Sequence, residues 1–167
     1  NILRCWGGNV YEDHAFYDFC DENGILIWQD FSMACAFYPQ DARFEALMRQ
    51  EATAVIRKLR NHPSILLWAG DNEVDVMAME FGKDPAQNRI TRQILPEVVR
   101  LNDPTRPYLP SSPYVSDAVY KTGFVRNCPE DHLWGPRDYY KSSFYKENPA
   151  HFVSETGYHG CPSLDSI

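Results

Sequence analysis

Two glutamates stand where short apolar runs stop: Ile65-Leu66-Leu67-Trp68-Ala69-Gly70-Asp71-Asn72-Glu73 and Phe152-Val153-Ser154-Glu155. Each run has the length and residue types of a buried β-strand. In a parallel β/α architecture, residues just past the carboxyl ends of strands converge on one mouth, so acids far apart in sequence face each other there. A facing pair of carboxyls is what cleavage of a glycosidic bond requires. Two glutamates taken at random from an acidic chain are solvated surface charges; the shared strand-end position argues for more.

The elements that must position this pair alternate along the chain. Asn1 to Trp6 reads as a strand closed by Gly7-Gly8, and Val10 to Glu22 as a helix with Phe16, Phe19 and Cys20 on one side, stopped by Asn23-Gly24. Ile25 to Trp28 is a buried strand. Asp41 is the expected N-cap of a helix running through Leu59, in which Phe44, Leu47, Met48, Glu51, Val55 and Leu59 recur at helical spacing. Arg57, Lys58 and Arg60 suit its C-terminal dipole, and Pro63 bars continuation. The strand Ile65 to Ala69 follows, then a helical stretch from Pro85 to Leu101, and strands over Arg106 to Ser111, His132 to Gly135 and His151 to Ser154.

Strands mostly separated by helices make parallel βαβ units, hence an α/β fold. The expectation is a partial (β/α)8 TIM barrel, about strands 2 to 7, because a whole barrel needs eight strands and typically about 250 residues and the chain has 167. No repeat, low-complexity tract or linker divides it. Residues 1–167 therefore read as a single barrel domain, and the family resemblance given below implies that it is the catalytic domain, a fragment of a larger multidomain protein.

Composition narrows the partners. The chain is 44% hydrophobic and 14% aromatic, enough for a sizeable core, and its net charge of −7 with no long basic run argues against nucleic acid or an anionic membrane. No apolar run approaches membrane-spanning length. Neutral glycans fit better, and the four Trp and ten Tyr supply rings for stacking against sugars as well as for the core. Cys5, Cys20, Cys35, Cys128 and Cys161 form no CxxC pair and read as small buried hydrophobes rather than a disulfide framework. His14, His62, His151 and His159 fall at no metal-ligand spacing with each other or with the cysteines, so no catalytic metal and no cofactor is expected.

Leu3-Arg4-Cys5-Trp6-Gly7-Gly8, Phe16 through Phe31, Arg60-Asn61-His62-Pro63-Ser64-Ile65, Asn72-Glu73 and Val153-Ser154-Glu155 together resemble, in that order, the catalytic barrel of glycoside hydrolase family 2. The Trp-Gly-Gly and Trp-Gln-Asp-Phe elements resemble its β-mannosidase branch most. The resemblance covers nearly the whole chain and implies accessory β-sandwich domains elsewhere in the parent, an oligosaccharide or glycan substrate, and an extracytoplasmic location. It also implies a retaining exo-β-glycosidase, with exo-β-glucosaminidase or β-galactosidase as alternative activities. A glycan-binding or purely structural barrel piece without turnover is the alternative of a different class. Asn9 stands where a third glycine is common, and Asp71 where the mannosidase branch often has Asn; Asp71 adds an expected negative charge near Glu73.

On this resemblance Glu73 is the acid/base and Glu155 the nucleophile. Glu73 must donate a proton, so its carboxyl is expected to be raised by an apolar wall or by its partner's charge. Glu155 must be ionised, and Arg4 is the candidate cation beside it. Asn72 resembles the amide that bonds the sugar 2-hydroxyl. Trp6 and Trp134 at strand ends either wall the terminal-sugar subsite or pack in the core. Asp30 either accepts from sugar hydroxyls or holds Arg4, and His132 bonds substrate or a catalytic carboxylate unless it is a core histidine.

Overall fold

In the computed structural model, which describes residues 1–123, 128–135 and 142–157, the apolar runs pair as parallel strands. Strands β1 (Ile2–Cys5), β2 (Leu26–Asp30), β3 (Ile65–Ala69) and β4 (Tyr108–Leu109) form one sheet in that order, and β5 (Glu130–Trp134) pairs with β6 (Phe152–Gly157) in a second. Registers Arg4↔Trp28, Gln29↔Trp68 and Trp68↔Tyr108 bring the carboxyl ends of β1 to β4 level. Beyond those ends the pairing continues: Asn72 N–H donates to Met33 O (2.9 Å), Cys35 N–H to Asn72 O (2.9 Å) and Glu73 N–H to Ser112 O (2.8 Å). These bonds carry the order of the sheet up to the mouth.

Helix α1 (His14–Asn23) ends at Gly24, whose φ of 65° is the left-handed turn expected of Asn-Gly. Tyr17 and Cys20 face the core, whereas Phe19, on the flank next to Cys20, is exposed rather than inward. Helix α2 (Ala42–Leu59) starts at Asp41, whose side chain accepts from Phe44 N–H at 2.9 Å. Its buried stripe is Met48, Ala52, Val55, Ile56 and Leu59, so the apolar arc is turned relative to the sequence expectation and Leu47 lies 52% exposed. Burying each large aliphatic residue is worth about 1.5–3 kcal/mol, which outweighs propensity in fixing that face. Phe31 and Trp68, both fully buried, stack at 5.7 Å in the centre.

Several expected elements are shorter or subdivided. The stretch Pro85 to Leu101 is a 3-10 turn (Pro85–Gln87), a π-helical turn (Ile90–Ile94) and helix α4 (Leu95–Asn102). Pro96 has no N–H to give Arg92 O, and the ladder widens just before it, with Leu95 N–H reaching Ile90 O. The strand over Arg106 to Ser111 contracts to two residues because Pro107 and Pro110 cannot donate; Pro107 O still accepts from Trp68 N–H (3.1 Å). Short helices α3 (Val74–Glu80) and α5 (Asp117–Thr122) lie where no element was expected. Strand β6 runs on through Gly157, so Glu155 sits within a strand and pairs in register with His132. Among the described residues no helix is long and apolar enough to cross a membrane.

Candidate active site

Arg4, at the end of β1, is the hub of the mouth. Its Nη2 donates to Asp30 Oδ2 (2.8 Å) and Asn72 Oδ1 (2.9 Å), its Nε to Asp30 Oδ1 (3.4 Å), and its Nη1 to Glu155 Oε2 (2.9 Å). Nη1 also lies 3.2 Å from His132 Nε2. A planar guanidinium with five donors meets four partners where an ammonium cannot. Asp30 is sealed from solvent and accepts additionally from Trp28 Nε1 (2.8 Å) and Gly7 N–H (3.0 Å), so it holds Arg4 and faces no open space. Burial pushes its carboxyl up to about 6, with Arg4 the main opposing influence. Gly7 comes this close because it lacks a side chain: a Cβ there would sit 2.5 Å from Met33 O.

Glu73 is placed by an unusual backbone. It caps α3 with φ 59°, left-handed for a non-glycine, and Cys35 opposite it has φ 45°. Glu73 Oε1 accepts from His132 Nδ1 at 2.8 Å, and Cys35 Sγ donates to its Oε2 at 3.4 Å. A guanidinium has no acceptor, so His132 Nε2 takes the Arg4 N–H on its lone pair and the ring proton on Nδ1 points to Glu73. His132 Nδ1 is also 3.7 Å from Glu155 Oε2, and the imidazole, 4% exposed, bridges the two acids. One oxygen of Glu73, one of Glu155 and a nitrogen of His132 all lie within 4.8 Å of one another.

This arrangement reverses the expectation for Glu73. The hydrogen bond from His132 is the largest influence and holds its carboxyl below the usual value, against a smaller upward push from burial. The neighbours supply donors and positive charge where an apolar wall was expected. Asp71 also differs: it is fully buried and turned away from Glu73, accepting from Ser111 Oγ and from Val74 N–H (3.3 Å). Burial, then the nearby Asp75, pushes its carboxyl well above the usual range.

Trp134 Nε1 donates to Glu155 Oε1 at 2.7 Å, and Trp6 and Trp134, each about half exposed, are rims and not core. With Arg4, Ser154 and Glu155 they line a cavity of about 380 Å³. A second, of about 430 Å³, lies on the Glu73 side, walled by Cys35, Met77, Phe81 and Pro113. A smaller one of about 180 Å³, between Phe37 and Pro85, is remote from the acids.

Three residues of the mouth carried no sequence signal. Cys35 is exposed, not a buried hydrophobe, and accepts from Asn72 Nδ2 at 3.3 Å; burial and the Glu73 charge raise its thiol and keep it protonated. Ser112 and Glu130 lie behind His132. Cys20 and Cys128 are buried as expected and Cys5 half-buried, while Cys161 and His159 lie outside the described residues. The Glu73, His132 and Glu155 trio has ligand-like spacing, but the Arg4 guanidinium bonded within it repels a cation. A similar trio, Asp18, Asp21 and His62, sits at the amino ends of the strands, where His62 Nδ1 is engaged by Asp21 at 2.7 Å.

Comparison with known proteins matches this architecture. The family model described as "Glycosyl hydrolases family 2, TIM barrel domain" matches residues 11–128. Bos taurus beta-mannosidase is 37% identical over all of this chain and 21% of its own length, and beta-mannosidase B of Neosartorya fischeri is 33% identical over 99% and 21%. The crystal structure of beta-D-mannosidase from Dictyoglomus thermophilum superposes with a TM-score of 0.83 at 36% identity, covering 99% of this chain and 21% of that one. The chain thus spans about a fifth of the relatives it matches. The parallel strands, the ordered motifs and these matches place the chain in glycosyl hydrolase family 2, within its TIM-barrel domain.

Proposed function

We propose that this chain is the catalytic part of a retaining exo-β-glycosidase that removes terminal β-mannosyl residues from glycans or oligosaccharides, and that residues 1–167 form one portion of the barrel domain of a larger protein with further domains. The observation that carries the reading is that one carboxyl oxygen of Glu73 and one of Glu155 lie within 4.8 Å of each other. Retaining enzymes hold their carboxyls about 5–5.5 Å apart, whereas inverting ones need about 6.5–9.5 Å to admit a water. Glu155 then attacks the anomeric carbon, its free electron pair directed by the Arg4 and Trp134 donors. Glu73 protonates the leaving oxygen and afterwards takes a proton from water.

The sugar ring occupies the Trp6 and Trp134 cavity and the leaving group lies on the Cys35 and Met77 side, so that the scissile bond passes between the acids. Asn72, held by Arg4 and Cys35, faces the 2-hydroxyl. The relatives named beta-mannosidase support the choice of sugar. The test has two parts in the full-length protein. Among aryl β-glycosides, the mannoside should be turned over fastest. Glu155→Ala should abolish turnover, and azide should restore it with an α-mannosyl azide as product, since the anion enters the vacated space. A mannoside no faster than the galactoside or glucosaminide defeats the sugar assignment; full activity in Glu155→Ala defeats the mechanism.

A further inference from the structure

Helix α3 starts at the residue after Glu73, and one of its faces runs outward from that carboxyl. Met77 and Phe81 follow Glu73 at four-residue steps, Val76 and Glu80 stand beside them, and all five line the cavity of about 430 Å³ that also holds His132. Eight residues carry this face about 12 Å from the acid. Its outer end is fixed: Phe81 N–H donates to Met77 O (3.1 Å), Lys83 N–H to Ala78 O (2.7 Å), and Gly82 reverses the chain at a φ of 66°. Phe81 is thereby held out into solvent, 68% exposed, with its ring edge-to-face on Phe37 at 5.6 Å. A fixed, exposed ring at the far end of a cavity that begins at Glu73 marks a binding surface continuous with the mouth.

The lining indicates what covers it. Met77, Pro113 and Phe81 offer apolar surface, and Glu80 adds a carboxylate with no hydrogen-bond or ion-pair partner among the described residues. Asp131 is already engaged, accepting from His132 N–H (2.9 Å) and from Asn148 Nδ2 (2.8 Å). An apolar wall edged by a free acceptor suits a ring with C–H faces and hydroxyl donors. Among the described residues no Lys or Arg lines this cavity. Lys83 lies over the Phe37 ring, 3.6 Å from its centroid, and lines the smaller cavity instead. An anionic group would therefore meet Glu80 and Asp131 with no fixed cation to offset them.

We propose that this face of α3 binds the leaving group, a saccharide that stacks a ring on Phe81 and donates a hydroxyl to Glu80, and that Glu80 selects against leaving groups bearing a uronate or sulfate. The assignment rests on Glu73 being the acid/base and on the terminal sugar lying on the Trp6 and Trp134 side. Glu73 protonates the glycosidic oxygen, so the leaving group starts at that carboxyl and extends along Met77 toward Phe81. Phe81 and Glu80 touch atoms that do not react. Their contacts are equal in the ground and transition states and act through KM, which separates them from any disturbance of Glu73 itself.

Initial rates of the full-length enzyme test this on three substrates with poor leaving groups: methyl β-mannoside, which ends short of Phe81, β-1,4-mannotriose, and the same trisaccharide with its leaving sugars oxidised to uronates. Phe81→Ala should lower kcat/KM on mannotriose roughly tenfold more than on the methyl glycoside, through KM, as loss of an apolar contact does in a pocket. The native enzyme should prefer the neutral trisaccharide to the uronate by roughly threefold to fivefold, the worth of an exposed charge. Glu80→Gln should remove that preference, Glu80→Lys should invert it, and about 1 M salt should shrink it in the native enzyme. A native enzyme no better on mannotriose than on the methyl glycoside, equal losses on both for Phe81→Ala, or equal native rates on the neutral and uronate trisaccharides at low salt overturns the proposal. The native comparisons decide alone if the variants fail to fold. Glu73→Ala is the control, and should lose the methyl glycoside far more than 2,4-dinitrophenyl β-mannoside, whose leaving group needs no acid. If it loses both alike, the acid/base reading itself falls; if it shows that split and Phe81→Ala does not separate its two substrates, only the leaving-group face falls.

Discussion

Arg4→Lys keeps the charge at the hub and removes its geometry. The guanidinium donates to Asp30, Asn72 and Glu155 from three nitrogens at once. An ammonium on a flexible stem settles on Asp30, the fully buried partner that most needs a counter-charge, and leaves Asn72 Oδ1 and Glu155 Oε2 without this donor. Losing a bond to a charged group costs about 1.5–3 kcal/mol; Glu155 keeps some access to water, and the Asn72 acceptor is neutral, so both belong at the lower end. The sum is roughly 3–4 kcal/mol, or about 10²–10³ in kcat/KM. Because Asn72, proposed to face the sugar, and Glu155, proposed to attack, lose their orientation, the fall should lie in kcat more than KM. Steady-state kinetics of Arg4→Lys on an aryl β-mannoside, with melting to verify the fold, measures it. Activity within threefold of native would show that the fork does not order Asn72 and Glu155.

Asn72→Ala should lower kcat by about 2–4 kcal/mol of transition-state stabilisation with the fold intact, and a 2-deoxy substrate should lose much less; equal losses on both sugars would refute the 2-hydroxyl contact. Asp30, whose carboxyl rises from 3.8 to about 6 on folding, contributes stability that is full below about 3.8 and lost as pH rises through about 6. Melting of native protein and Asp30→Asn between pH 4 and 7 should therefore diverge in favour of the variant as pH rises, by up to about 3 kcal/mol; a constant difference would refute it. Residues 1–167 expressed alone should show no glycosidase turnover, because the two described sheets present unpaired parallel edges. Native-like rates from a monomeric 167-residue chain would contradict that.

The sequence made the parallel strands and the two acids legible because both rest on local patterns: apolar runs, caps such as Asp41, and glutamates at run ends. Element limits failed where proline decided them, at Pro96 and between Pro107 and Pro110. Faces failed where periodicity alone left several turns of a helix equivalent, as with Phe19 and Leu47. Glu73, Glu155, Arg4 and Asn72 were brought to one mouth, but the His132 contact that reverses the titration of Glu73 joins residues 59 positions apart. Cys35 and Ser112 belong to no recognisable spacing, since they are placed by pairing beyond the strand ends, and Glu130 opens β5 in a run with no apolar alternation to mark it.

The bond between Arg4 and Glu155 spans 151 positions. On a ribosome adding about 5–20 residues per second, Arg4 and Asp30 meet early, whereas Glu155 emerges only after β1 to β5 have been made. The nascent barrel thus carries a paired but unfinished charge cluster for many seconds, with part of the guanidinium fork still free. A chain interrupted before β6 keeps β1 to β5 and lacks Glu155, the carboxylate proposed to attack, and with it one of the partners that the Arg4 fork holds.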